Sequence, residues 1–140
     1  MNLRITHDSS NVNWNLVPEI LKEVGMGYFD AEIHKRAFDN SYTAVFVYDN
    51  EKLVGFGRAL SDEAYQAGIY DVAVIPEYQG KGIGKMIIEN IIESIPQCNF
   101  ILYAAIGKER FYESLGFKKM KTGMALFKNA EVMQLKGFTE

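Results

Sequence analysis

The chain has 140 residues, a net charge of −3 and a hydrophobic fraction of 48%. That length supports one core, so residues 1–140 are expected to form a single domain. A weakly acidic chain lacks the basic footprint of a nucleic-acid binder, and no run reaches the roughly 18 apolar residues of a membrane span, so neither partner is expected. Cys98, the one cysteine, cannot form an intrachain disulfide, and no apolar leader follows Met1. Both features favour a reducing, cytoplasmic location.

Taken in order, Leu3-Arg4-Ile5-Thr6 alternates apolar and polar residues and reads as a short strand. Turn and cap residues follow at 8–11. Leu16, Ile20, Leu21 and Val24 recur at helical spacing, with Pro18 near the start and Gly25 and Gly27 as the stop. A second helix is expected from about Asp30 to Phe38, with Ile33 and Ala37 on its inner face. Trp14, Tyr28, Phe29 and Phe38 are expected to pack in the core. Residues 42–48 and 53–60 are strands joined by a polar turn at 49–52. Gly55 and Gly57 mark a bulge or a close backbone approach in the second of them.

After a polar bend at 61–63, residues 69–75 form a third antiparallel strand. A helix over 85–93 extends an isoleucine stripe of Ile83, Ile87, Ile88, Ile91, Ile92 and Ile95, and Pro96 stops it. Residues 100–105 are almost wholly apolar and read as a central strand. A short helix over 108–115 buries Phe111 against Leu115 and ends at Gly116. Residues 117–120 and 124–127 can close a hairpin around Thr122-Gly123. The tail from Asn129 has weak patterning.

Between the 69–75 strand and the isoleucine helix lies Gln79-Gly80-Lys81-Gly82-Ile83-Gly84. Three glycines in five residues allow positive φ and close approach of a ligand, and the helix start adds open N–H groups and a positive dipole end. Together these make an anion site suited to phosphate. A P-loop needs Gly-Lys followed by Ser or Thr, whereas Gly84-Lys85 is followed by Met86; the dinucleotide fingerprint needs a different glycine spacing and an acidic residue further on. A tight turn with no ligand is the other reading of such a cluster taken alone.

The pattern Gln79-x-x-Gly82-x-Gly84, after Val72-Ala73-Val74-Ile75-Pro76, resembles the acetyl-CoA signature of the GCN5-related N-acetyltransferases. A second segment, Phe111-Tyr112-Glu113-Ser114-Leu115-Gly116-Phe117, is similar to that family's later Phe-Tyr-x-x-x-Gly-Phe helix. The flanking strands extend the likeness over roughly residues 43 to 127. Within the family, residues 54–84 look closest to serotonin N-acetyltransferase-like members.

The resemblance implies an α/β fold, a mixed and mostly antiparallel sheet with helices on both faces, forming one acetyltransferase domain. It implies acetyl-CoA as co-substrate and N-acetylation of a small primary amine by direct attack in a ternary complex. Acceptance of a protein lysine or N-terminus, or a non-catalytic acyl-CoA-binding module, are the alternatives. The loop backbone from Gly80 through Lys81, Gly82, Ile83 and Gly84 to Lys85 would hold the pyrophosphate, with Gln79 part of the signature. Lys81 and Lys85 either add charge there or are solvated surface lysines. Backbone groups of Val72, Ala73 and Val74 would pair with the pantetheine arm, and an N–H among them could serve the oxyanion.

Tyr112 is the expected general acid, because a phenol with a reference pKa near 10 still holds its proton at neutral pH. For the base, the 69–75 strand offers Tyr70 and Asp71, which point to opposite faces unless a bulge intervenes. Asp71 is the better base by type, and a structural hydrogen-bonding role is its other reading. In this family the first forty residues help to build the acceptor site, so some of their aromatic residues would wall it. Ala105 stands about where the family often has a cofactor-contacting Asn. His7, His34 and Cys98 form no ligand cluster, so no metal is expected. A homodimer stays open.

Overall fold

The computed structural model of the protein describes residues 1–140, which fall into two compact units, 1–102 and 103–140. The first unit contains strand β1 (Leu3–Thr6), helices α1 (Leu16–Glu23) and α2 (Ala31–Asp39), strands β2 (Thr43–Asp49), β3 (Lys52–Ser61) and β4 (Gln66–Val74), helix α3 (Ile83–Ser94) and strand β5 (Asn99–Ile101). Its sheet runs in the order β1-β2-β3-β4-β5. The pairings are antiparallel except for β4–β5, which is parallel. The mixed, mostly antiparallel sheet expected from sequence is therefore present.

Side-chain alternation along β3 divides the helices between the two faces. Phe56 meets Phe38 of α2 edge-on, with ring centroids 5.8 Å apart. A Cβ on the neighbouring Gly57 would come within 2.8 Å of Ile87 in α3, and one on Gly55 within 3.2 Å of the same side chain. The two strand glycines thus let α3 lie close against the sheet, where Ile83, Ile87, Ile88, Ile91 and Ile95 are buried. On the opposite face Trp14, Phe38, Phe46 and Phe56 form an aromatic cluster with centroid separations of 5.5–5.9 Å. Phe38 is buried in the core, as expected, and Trp14 packs half-buried against it, whereas Tyr28 and Phe29 lie on the surface at 48% and 63% exposure.

Several expectations are corrected. The inner face of α2 is formed by His34 and Phe38, and Ile33 is exposed. Packing of Phe38 into the aromatic cluster sets the helix rotation one residue away from the apolar pattern. Strand β4 begins at Gln66, stabilised by the bend before it, where Asp62 Oδ1 accepts the N–H groups of Ala64, Tyr65 and Gln66. Strand β5 is a three-residue strand at the end of the sheet rather than a central one, and Ile101 is exposed.

The second unit, residues 103–140, contains α4 (Glu109–Ser114) and α5 (Ala130–Leu135). Phe111 and Leu115 are half-buried rather than buried, and Gly116 ends α4 with φ +95°. Residues 117–127 form no hairpin: Met124 and Leu126 are 97% and 99% exposed, so pairing there buries no apolar face to offset its ordering cost. Tyr103 packs edge-on against Phe127 and Phe138, which gathers the C-terminal segment with α5. No helix is long and apolar enough to cross a membrane.

Candidate functional site

The glycine loop adopts the backbone that its sequence requires. Gly80 and Gly82 have φ of +77° and +86°, and a Cβ on either would meet nothing within 4 Å, so one side of the loop is open. Gly82 is the N-cap of α3, and no side chain caps that helix. The first intrahelical bond runs from the Met86 N–H to the Gly82 carbonyl at 3.1 Å, which leaves the N–H groups of Ile83, Gly84 and Lys85 without a helical acceptor. Lys81 and Lys85 are exposed beside them. Open space, aimed donors and a helix N-terminus fit a pyrophosphate. Gln79 plays a bracing part: its Nε2 donates to the Val74 carbonyl at 2.9 Å and ties the loop to the end of β4. A second brace precedes the loop, where the Tyr78 hydroxyl donates to Asp49 Oδ2 at 2.6 Å.

Strand β4 is paired with β5 only from Gln66 to Gly68, whereas its pairing with β3 continues to Val74. From Ile69 onward β4 therefore has a strand on one side only. Val72, Ala73 and Val74 lie in that stretch, which the turn at Pro76–Tyr78 joins to the loop; no strand covers its outer edge, although Gln79 takes the Val74 carbonyl, and an extended chain such as pantetheine can run along it.

Within the same stretch β4 carries a bulge. Phe56 pairs with Ala73 and Arg58 with Tyr70, so Gly57 alone spans Asp71 and Val72. Asp71 takes φ +56°, an uncommon left-handed conformation for a non-glycine residue. The extra residue breaks the alternation, and Tyr70 and Asp71 both reach Arg58. Arg58 Nε donates to Asp71 Oδ2 at 2.7 Å, and its guanidinium lies 5.3 Å from the Tyr70 ring centre. Arg58 also donates to Ser41 Oγ at 3.3 Å and lies 5.8 Å from the Phe38 ring centre. A guanidinium 15% exposed needs such partners, because burying an unpaired charge is costly.

His34 lies close enough to this pair to feel both of its charges, and its Nε2 accepts the Phe29 N–H at 2.8 Å. Burial holds its ring below the ordinary imidazole range, against an upward pull from Asp71 and with a further lowering by Arg58.

In the second unit, Tyr112 sits on α4 with its ring edge-on to Phe111 at 4.9 Å and to Phe117 at 5.7 Å. Burial alone raises the phenol above its usual range, so it keeps its proton at neutral pH. The Tyr112 carbonyl accepts the N–H groups of Leu115 and Phe117, which folds the motif back on itself at Gly116.

The sequence points to the loop, β4 and Tyr112 as candidates and gives no prominence to Arg58, Ser41 or His34, which the fold gathers beside Asp71. A signal for Arg58 was present: an arginine between Gly57 and Ala59 in an apolar strand demands a buried partner. His34 stands four residues before Phe38, the spacing of a shared helix face.

Residues 40–119 match the profile of the Acetyltransferase (GNAT) domain family. An uncharacterized N-acetyltransferase of Pyropia yezoensis is 35% identical over 125 residues, covering 83% of this chain and 72% of that protein. A histone acetyltransferase of Glycine max is 40% identical over 79 residues, covering 54% of this chain and 34% of that protein. Among solved structures, a probable acetyltransferase of Staphylococcus aureus superposes with a TM-score of 0.78 at 25% identity, covering 89% of this chain and 98% of that one. The chain spans less than two thirds of the length of several curated relatives it matches. The chain belongs to the GNAT acetyltransferase family.

Proposed function

We propose that the protein transfers the acetyl group of acetyl-CoA to the primary amine of a small molecule, by direct attack of the amine in a ternary complex. Strand β4 carries this reading, since its stretch from Ile69, paired on one side only, leads through the turn at Pro76–Tyr78 into the open glycine loop. The loop N–H groups from Gly80 to Lys85 bind the pyrophosphate, with Lys81 and Lys85 adding charge. The free edge at Val72, Ala73 and Val74 orients the pantetheine. Asp71, reached through water at the oxygen that Arg58 leaves free, takes the amine proton. By the motif it shares with the family, Tyr112 donates a proton to the departing thiolate.

The acceptor side supports an aromatic or otherwise apolar amine. Tyr28, Phe29 and Ile33 are exposed at and before the start of α2, and Tyr70 is exposed beside Arg58 and Asp71. An arylalkylamine would place its ring on such a surface and its amine toward the carboxylate. The name of the Glycine max relative favours a second reading, a protein lysine as acceptor.

CoA release measured across arylalkylamines, polyamines and lysine-containing peptides separates the two, with thermal unfolding followed in saturating acetyl-CoA. A ligand that binds only the folded state raises the unfolding temperature by mass action. Amine-dependent release with a thermal shift is expected. Release with peptides alone would favour the protein acceptor. A shift without release from any acceptor would leave a binding module, and no shift would remove the cofactor assignment.

A further inference from the structure

The turn that presents Tyr28 and Phe29 is tied to the body of the first unit by one side chain. His34 is 4% exposed, and its Nε2 accepts the Phe29 N–H at 2.8 Å. The imidazole also lies 5.9 Å from the Phe29 ring, with the planes tilted by 50°. The turn has little else to hold it. Gly25 at its start has φ +80°, and a Cβ on Gly25 or Gly27 would meet nothing within 4 Å. The Met26 N–H closes back on α1 through the Leu21 carbonyl, and the next backbone bonds belong to the start of α2 at Asp30. Lys22 approaches the Tyr28 ring only at 5.9 Å.

We infer that His34 positions the acceptor side of the site: its unprotonated Nε2 pins the 25–30 turn so that Tyr28 and Phe29 form a fixed wall, and protonation of the ring releases that wall. The inference rests on the acceptor-side reading above. Its chemistry follows from the donor inventory. A backbone N–H can only donate, so Nε2 must offer a lone pair, and the neutral ring carries its proton on Nδ1. In the imidazolium both nitrogens are donors, and Nε2–H would face the Phe29 N–H head-on.

The charged groups that face the ring are Asp71 from β4, which favours protonation, and Arg58 from β3, which opposes it. They are bound to each other at 2.7 Å, so their effects on the ring partly offset. Burial leaves the neutral form favoured at pH 7. The wall is therefore in place at neutral pH and is lost in acid.

The test uses His34→Gln, whose amide oxygen can accept the same N–H at every pH, and His34→Leu, which cannot accept it at all. In the wild type, the amide-exchange protection factor of Phe29 should be high at pH 7.5 and fall as the solution is acidified. It should be independent of pH in His34→Gln and low throughout in His34→Leu. With the best amine found, His34→Leu should raise the amine KM by about three- to tenfold at pH 7.5, the loss of about one hydrogen bond, with kcat within about twofold. Acidification should raise the wild-type KM more steeply than that of His34→Gln, a comparison from which titration of the amine itself cancels.

Equal Phe29 protection in wild type and His34→Leu would overturn the pin. Protection that changes as expected while KM does not would overturn the role of the turn as acceptor wall. If no amine is turned over, the proposed function fails on its own account and the wall falls with it. The exchange measurement still decides whether His34 holds the turn.

Discussion

The two candidate regions around β4 are built from different materials. The glycine loop is a backbone feature: its shape comes from two left-handed glycines and the open start of α3, while Lys81, Lys85 and Gln79 stay at the surface. The face toward α2 is a side-chain cluster, where Arg58 of β3, Tyr70 and Asp71 of β4, His34 of α2 and Ser41 of the loop after α2 are far apart in sequence. A backbone site is tolerant of side-chain change outside its glycines. A side-chain site is sensitive to each partner, because removing one leaves another buried and unpaired.

The largest effect expected lies outside both. Tyr112→Phe keeps the ring contacts with Phe111 and Phe117 and removes only the hydroxyl. If Tyr112 protonates the thiolate, turnover should fall about 10²–10⁴-fold with acetyl-CoA affinity little changed. Rates of CoA release beside a binding titration check this, and equal rates in the two proteins would take Tyr112 out of the chemistry.

Asp71→Asn sharpens the side-chain half of the comparison. The amide keeps an oxygen for Arg58 Nε but cannot take up the amine proton. Turnover is expected to fall about 10²-fold. A lowered unfolding temperature with full turnover would make Asp71 only the partner of Arg58.

The same contrast explains how much the sequence disclosed. The loop was legible because positive φ demands glycine locally, and the isoleucine stripe of α3 because 3.6-residue periodicity is local too. The bulge at Asp71 was not, since it depends on the register of β3 against β4, and with it went the meeting of Tyr70 and Asp71 at Arg58. The buried face of α2 was misread because His34, a polar residue, takes a core position by accepting a backbone N–H while apolar Ile33 stays outside. Residues 100–105 were misread for the converse reason: an apolar run suggests a buried strand, but Ile101 and Tyr103 are exposed. The hairpin expected around Thr122-Gly123 does not form, and Met124 and Leu126 are exposed.

Gly82→Val attacks the backbone half. At φ +86° a β-branched residue is strained by about 1–3 kcal/mol even though its Cβ meets open space. The protein should fold, and acetyl-CoA affinity should drop about tenfold or more as the loop shifts and the new side chain occupies the approach to phosphate. Unchanged affinity in a folded variant would reduce the loop to a turn.

The smallest effect tests whether the backbone site depends on side chains at one remove. Tyr78 follows β4 and precedes the loop, and its hydroxyl donates to Asp49 at the end of β2. Lys52 lies 5.5 Å from the Tyr78 ring centre and 3.7 Å from Glu77, so the β2–β3 turn grips the approach to the loop at two points. The Tyr78 hydrogen bond is the main cause that lowers the Asp49 carboxyl, with the Asn2 N–H adding to it. A carboxylate whose folded pKa is depressed contributes stability that is present above its unfolded value, near 3.9, and is lost as the pH falls through the folded value. Tyr78→Phe should remove part of that contribution, so thermal unfolding of variant and wild type should differ at neutral pH, the difference shrinking below about pH 4 and vanishing only below the lowered folded value of Asp49. Acetyl-CoA affinity should weaken by only about threefold, since one half-buried brace is lost while Gln79 still ties the loop to the Val74 carbonyl. A Tyr78→Phe loss as large as that of Gly82→Val would mean that the loop is held by its side-chain braces rather than by its glycines, and the division between the two sites would not stand.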